Sequence, residues 1–251
     1  MLAKQLDISQ PMMSRLDNAI GPPPTELVVN AWLDAVGADD DTRLRVRALA
    51  QAAYGETTPW PELLSEKPHL QDDVQARESA SVRVRNFQPT VIAGLLQTAG
   101  YASAVIPLAD ITGQVDHAAS VAARLRRQEI LHEPGRRFEF ILGEHVLRWS
   151  PGVGVMPAQL DRLTQLATLP TVAIAVLPEL AQSATPWHNF VLHERADSTA
   201  YATTELIHGP QEIHDRANVT LYQGFWDRLW AMSATGDAAT GLIREALRRL
   251  G

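Results

Sequence analysis

Arg83 and Arg85 alternate with Val82 and Val84. In an extended strand that period puts both guanidiniums on one face of a sheet. A guanidinium offers its donors in a fixed fork that matches a carboxylate or a phosphate. Two readings follow: Arg83 and Arg85 are ligand-binding residues lining a cavity, or they belong to a solvated outer face. Trp187 lies in QSATPWHNF, between two strand-like stretches. There it is a ligand lid, a partner contact, or a ring folded back on the core. Glu144 and His145 follow the apolar run FEFIL. A carboxylate beside an imidazole has the makings of an acid–base pair. Neighbours in a strand point to opposite faces, so the two share a site only if the strand has ended before them. No catalytic residue is assigned on that basis. Arg124, Arg126 and Arg127, with Gln128, make a basic helical patch that meets DNA or an acidic partner, or is simply a solvated helix face.

Other chemistry is absent from the pattern. Among the eight histidines, His188 with His193 and His208 with His214 lack the i, i+4 spacing of a helical zinc pair, and no HExxH occurs. With zero cysteines there is no thiol nucleophile and no Cys-ligated metal. No Walker loop, GxGxxG or GxSxG is present. Neither a metal nor a cofactor is expected.

The elements that must position these residues divide into two styles. Residues 1–53 read as short helices. Ser9 precedes a run with Met13 and Leu16 inside and Pro11 in its first turn, where a missing N–H does no harm. Thr25 caps a third helix that Gly37 closes, and Asp39 to Asp41 open a fourth. Gly55–Pro61 (GETTPWP) reads as a linker. Beyond it, strand-like periods at 82–87, 138–142, 172–177, 190–193 and 201–207 mix with helical ones at 91–105, 116–132, 159–169, 219–230 and 237–250. The expected fold is α+β: a small all-α head over 1–56, and a mixed domain over 57–251 with about five strands and flanking helices.

The whole chain has 251 residues, is 45% hydrophobic and 20% charged, and carries a formal net charge of −7. Such a composition excludes a disordered tail or a collagen-like chain. So acidic a chain is no general nucleic-acid binder, and any DNA contact must be local. No stretch approaches the ~20 apolar residues that span a bilayer, and the N-terminus lacks the apolar run of a signal peptide. The expectation is a cytoplasmic protein with no membrane partner.

LAKQLDISQPMMSRLDN (residues 2–18) resembles the helix-turn-helix of the phage-repressor-like XRE family. The resemblance implies that two helices meet near Asp7–Ser9 and that the second enters the major groove by its N-terminal residues. Ala3 is then the small residue at the helix crossing, and Ile8 and Leu16 are core. Ser9 caps the recognition helix and Gln10 reaches a base edge. Ser14 faces the DNA backbone, and Arg15 faces bases or phosphate. Ser9, Gln10, Ser14 and Arg15 are thus the DNA-binding residues that the resemblance implies. Two departures stand beside it. Asp7 occupies the place of the family's turn glycine, and the sequence begins inside the family's second helix. The expectation is a head lacking its first helix, with DNA binding weak or lost. Acidic residues also outnumber basic ones over residues 1–50, seven to five.

Six blocks downstream, in order, resemble the DUF5753 domain of actinobacterial regulators. They are RESASVRVRNFQPTVIAGLLQTAGYA (77–102), VAARLRRQEILH (121–132), FEFILGEHVLRW (138–149), QLDRLTQLA (159–167), VAIAVLPE (172–179) and TLYQGFWDRLWAMS (220–233). The resemblance implies a sensor or interaction domain behind a DNA-binding head, in proteins linked to development or secondary metabolism. The leading expectation is a homodimeric transcriptional regulator whose larger domain senses a small-molecule ligand or a small protein partner. Two alternatives remain. One is a biosynthetic enzyme built on a regulator scaffold with a vestigial head. The other is an antitoxin-like protein–protein module.

Overall fold

A computed structural model describes residues 3, 6, 8–18, 24–55, 59–65, 67–179 and 188–250. The chain divides into two compact units, Met1–Thr57 and Thr58–Gly251.

The first unit is helical. Helix α1 (Gln10–Asp17) starts where the Ser9 hydroxyl accepts a hydrogen bond from the Met12 N–H at 3.3 Å. Pro11 sits in its first turn, where no intrahelical N–H is needed. Helix α2 (Glu26–Ala35) is capped by Thr25, whose hydroxyl accepts from the Val28 N–H. It ends at Gly37, whose φ of +63° is the left-handed conformation that glycine adopts without strain. Helix α3 (Asp40–Gly55) opens on Asp39, which accepts from the Thr42 N–H at 2.7 Å. Ala3, Leu6 and Met13 form a small core, with Ile8, Ala31 and Trp32 packed on it. An ion pair of 2.7 Å between Arg43 and Asp34 ties α3 to α2.

The larger unit mixes both element types, as the α+β reading expected. It begins with α4 (Trp60–Leu64) and α5 (Gln71–Ser79), followed by strand β1 (Arg83–Gln88). Helices α6 (Ala99–Ala109) and α7 (His117–Arg127) lead to β2 (Arg137–Gly143), and α8 (Met156–Leu166) leads to β3 (Val172–Leu177). Strands β4 (Phe190–Glu194), β5 (Ala200–Leu206) and β6 (Gly209–Ile213) follow, then α9 (Arg216–Met232) and α10 (Gly236–Arg248).

The six strands form one sheet in the order β3-β2-β1-β4-β5-β6. β1, β2 and β3 are parallel neighbours, which the helical crossovers between them permit. β4, β5 and β6 run antiparallel through short turns. The sheet has six strands where about five were expected. The segment missed, GPQEI, has no apolar alternation and carries Pro210, and as an edge strand it tolerates both. The helical stretch expected over 91–105 is corrected. It is a 3-10 turn at Gly94–Leu96 and then α6. The single helix expected over 116–132 changes to 3-10 geometry at Gln128.

Alternation along the strands gives each sheet face its own core. Val84, Phe138, Phe140, Leu142, Ile174 and Val176 pack with residues of α6, α8 and α10, such as Tyr101, Leu160, Leu163 and Ile243. Phe87, Ile141, Phe190, Leu192 and Ala202 pack against Val219, Trp226 and Leu229 of α9. Full burial of each valine, leucine, isoleucine or phenylalanine among them stabilises the fold by about 1.5–3 kcal/mol. No helix among the described residues is long and apolar enough to cross a membrane.

Candidate functional sites

In α1 the helical period separates two faces. Met13 is buried, while Gln10, Ser14 and Arg15 are exposed. Ser9 is occupied with capping, and the Ser14 carbonyl accepts from the Asn18 side chain at 2.7 Å. The Arg15 Nε reaches back toward the Pro11 carbonyl at 3.4 Å, leaving its terminal nitrogens at the surface. The side chains of Gln10 and Arg15 are donors to the outside, one near each end of a two-turn helix.

Arg83 and Arg85 do share one sheet face, as strand periodicity requires. Arg83 donates to Glu139 Oε2 from Nε at 2.9 Å and lies 2.7 Å from it through Nη2. Arg137 donates to the other oxygen of the same carboxylate at 2.8 Å. Arg85 pairs with Glu194 at 3.4 Å, and its side chain is only 11% exposed. These guanidiniums therefore meet carboxylates from neighbouring strands. Glu139 and Glu194 escaped the sequence reading because they lie 56 and 109 residues from their partners.

Trp187 lies outside the described residues. Beside it in sequence, His188 Nε2 is 3.1 Å from the Tyr222 hydroxyl, and burial raises the Tyr222 pKa. Phe190 is surrounded by Phe87, Tyr222, Phe225 and Trp226, with ring centroids 5.1–6.5 Å apart. Trp226 and Trp230 stack at 5.6 Å, and Trp226 is buried in the α9 core.

β2 ends at Gly143 and a 3-10 turn begins at Glu144, so the strand has indeed ended before the Glu144–His145 pair. Gly143 is required there, since a Cβ would stand 2.8 Å from the Pro89 carbonyl oxygen. The two side chains nonetheless do not join. Glu144 accepts from Arg148 at 3.1 Å and from the Glu179 backbone N–H at 3.1 Å, while His145 is exposed. Hydrogen bonds from Arg148 to Glu179 and Glu144 raise the arginine's pKa. Across a small cavity of about 40 Å³, Glu245 and Arg249 of α10 face this knot. That volume suits a water or two. Among the described residues no group of histidines and carboxylates is placed to hold a metal ion.

The basic patch on α7 is not one surface. Arg126 is exposed, Arg124 is half-buried, and Arg127 is buried in an ion pair with Glu78 of α5. Burial pushes the Glu78 pKa up, against the pull of Arg127. Near this pair, His193 is buried between the hydroxyls of Ser81 and Thr203, with its ring stacked on Tyr201 at 4.8 Å. Neither cluster was visible in the sequence, because each joins elements distant along the chain.

A helical unit followed by a six-stranded mixed sheet with helices on both faces defines a two-unit α+β protein. Residues 71–245 match the family model described as a domain of unknown function, DUF5753, and the chain belongs to that family. The match covers β1 to β6 and all but the end of α10. No curated protein matches the chain.

Proposed function

We propose that the protein is an XRE-like helix-turn-helix transcriptional regulator, of actinobacterial type, whose DUF5753 domain senses a small molecule or a protein partner. The observation that carries this reading is α1. A Ser9-capped helix buries Met13 against Ala3 and Leu6 and turns Gln10, Ser14 and Arg15 outward. A recognition helix needs that division: an apolar face to fix it and polar donors near its N-terminus to reach base edges. A homodimer would present two such helices to half-sites about one turn of DNA apart.

The test is binding to DNA selected from a random pool, measured across a salt series. Wild-type protein is expected to bind with a log–log salt slope set by its phosphate contacts. Gln10→Ala relaxes preference at one base position, at a cost of about 1–3 kcal/mol. If Arg15 contacts phosphate, Arg15→Ala weakens all sequences alike and reduces the slope by about one unit. Recovery of no sequence with salt-dependent affinity would set the DNA-binding reading aside.

A further inference from the structure

Where α5 meets α7, the layer between them is polar. Glu78 and Arg127 are 4% and 7% exposed and form an ion pair. Three buried side-chain atoms here and on the adjacent β1 have no hydrogen-bond partner: Glu78 Oε2, Arg127 Nε and Asn86 Oδ1. Arg124 precedes Arg127 by one helical turn, so the two share a side of α7. Its Nη1 donates to Gln97 Oε1 at 2.7 Å and its Nε to Gln71 Oε1 at 3.3 Å. Both partners are neutral amides. Among the described residues no carboxylate lies within 4.0 Å of the Arg124 guanidinium. Arg77, Arg85, Arg127 and Arg136 each have one. Glu78 and Glu205 act on Arg124 only from farther away.

Gly94 forms the floor beneath both guanidiniums. A Cβ there would stand 3.6 Å from Arg124 Nε and would overlap the Arg127 guanidinium. Burial, and then the like charge of Arg127, bring the Arg124 pKa down to about 10. A cation withdrawn from water without a counter-ion is costly to the fold, and an arriving anion offsets that cost. As a residue Arg124 is half-buried, whereas Arg127 beside it is buried.

We propose that Arg124 anchors an oxyanion site at the seam of α5 and α7, which takes the carboxylate or phosphate group of a small ligand. Gln71 and Gln97 hold the guanidinium in place. This names the ligand class for the small-molecule sensing read above and rests on that reading. Its test involves no DNA, so either idea can fail alone.

The full chain is titrated with inorganic phosphate and, separately, with succinate, against sodium chloride at matched ionic strength. One of the two anions is expected to give a saturable rise in Tm of roughly 3–6 °C at tenfold excess over its Kd. Which anion does so distinguishes phosphate from carboxylate. Arg124→Gln abolishes the rise, and Arg124→Lys, which keeps the charge without the fork, weakens it. Because Arg124→Gln can also impair folding, the Arg124 Nε–Hε resonance of the wild-type protein is followed in the same titrations. It is expected to shift with the active anion and not with chloride. A rise that survives in Arg124→Gln, or no rise with either anion and a static Arg124 resonance, overturns the proposal.

Discussion

His193 has one neutral tautomer that fits its surroundings. The Ser81 hydroxyl spends its proton on the Arg77 carbonyl, at 2.8 Å, so it accepts from the imidazole Nδ1–H. The Nε2 lone pair then accepts from Thr203. Burial first, and the nearby Arg77 charge second, hold the pKa down to about 3. The unfolded chain titrates this group near 6.5. Below that pH the unfolded state gains a proton that the folded state refuses, so stability is full above about 6.5 and falls as the pH drops toward 3. The expected loss from this group alone between pH 7.5 and pH 5 is about 2 kcal/mol. Urea unfolding at the two pH values measures it, and His193→Gln should flatten the dependence. The carboxylate of Glu212, lowered chiefly by its hydrogen bond to His214, acts in a more acidic range. An unchanged slope in His193→Gln would mean that His193 is not held neutral.

At the scale of elements, the segment between β1 and α6 holds only a 3-10 turn at Gly94–Leu96 and is tied down by glutamines. Gln97 Nε2 donates to the Ile92 carbonyl at 2.6 Å, Gln128 Nε2 to the Gln97 carbonyl at 2.7 Å, and Gln159 Nε2 to the Leu96 carbonyl at 2.8 Å. Gly94 lies within this clamp, under Arg127. In Gly94→Ala the new methyl displaces the Arg127 guanidinium and loosens its pair with Glu78. Breaking a buried ion pair costs about 3–5 kcal/mol, so a loss of roughly 2–4 kcal/mol is expected from this partial disruption. Gly241 in α10 serves as the control, since nothing lies within 4 Å of its would-be Cβ. There alanine should stabilise by up to about 1 kcal/mol through helix propensity. Equal effects at the two sites in chemical denaturation would exclude the close-approach role for Gly94.

At the scale of the molecule, both cores that flank the sheet lie within residues 58–251, and the small core around Met13 lies within 1–57. A chain beginning at Thr58 is expected to remain soluble. Its near- and far-UV circular dichroism transitions should coincide, as a single cooperative unit requires. Trp226 and Trp230, stacked in and beside the α9 core, make the near-UV signal a report on tertiary packing. Loss of that signal with secondary structure retained would describe a molten state and contradict an independent core.

The sequence by itself determined the features that act over a few residues. Ser9 and Thr25 cap helices because their hydroxyls reach an N–H three residues on. The VAIAVL run becomes β3 over the same residues, and strand periodicity alone put Arg83 and Arg85 on one face. Tertiary structure decided what those faces meet. The carboxylates on Arg83 and Arg85 come from β2 and β4 and are set by strand register. Arg127 looked like part of a solvated patch until Glu78, 49 residues away, drew it inside. β6 was illegible because an edge strand with Pro210 carries no apolar alternation and exists through its ladder with β5. Local sequence specifies caps and periods, whereas burial and ion pairing depend on which distant elements the fold brings together.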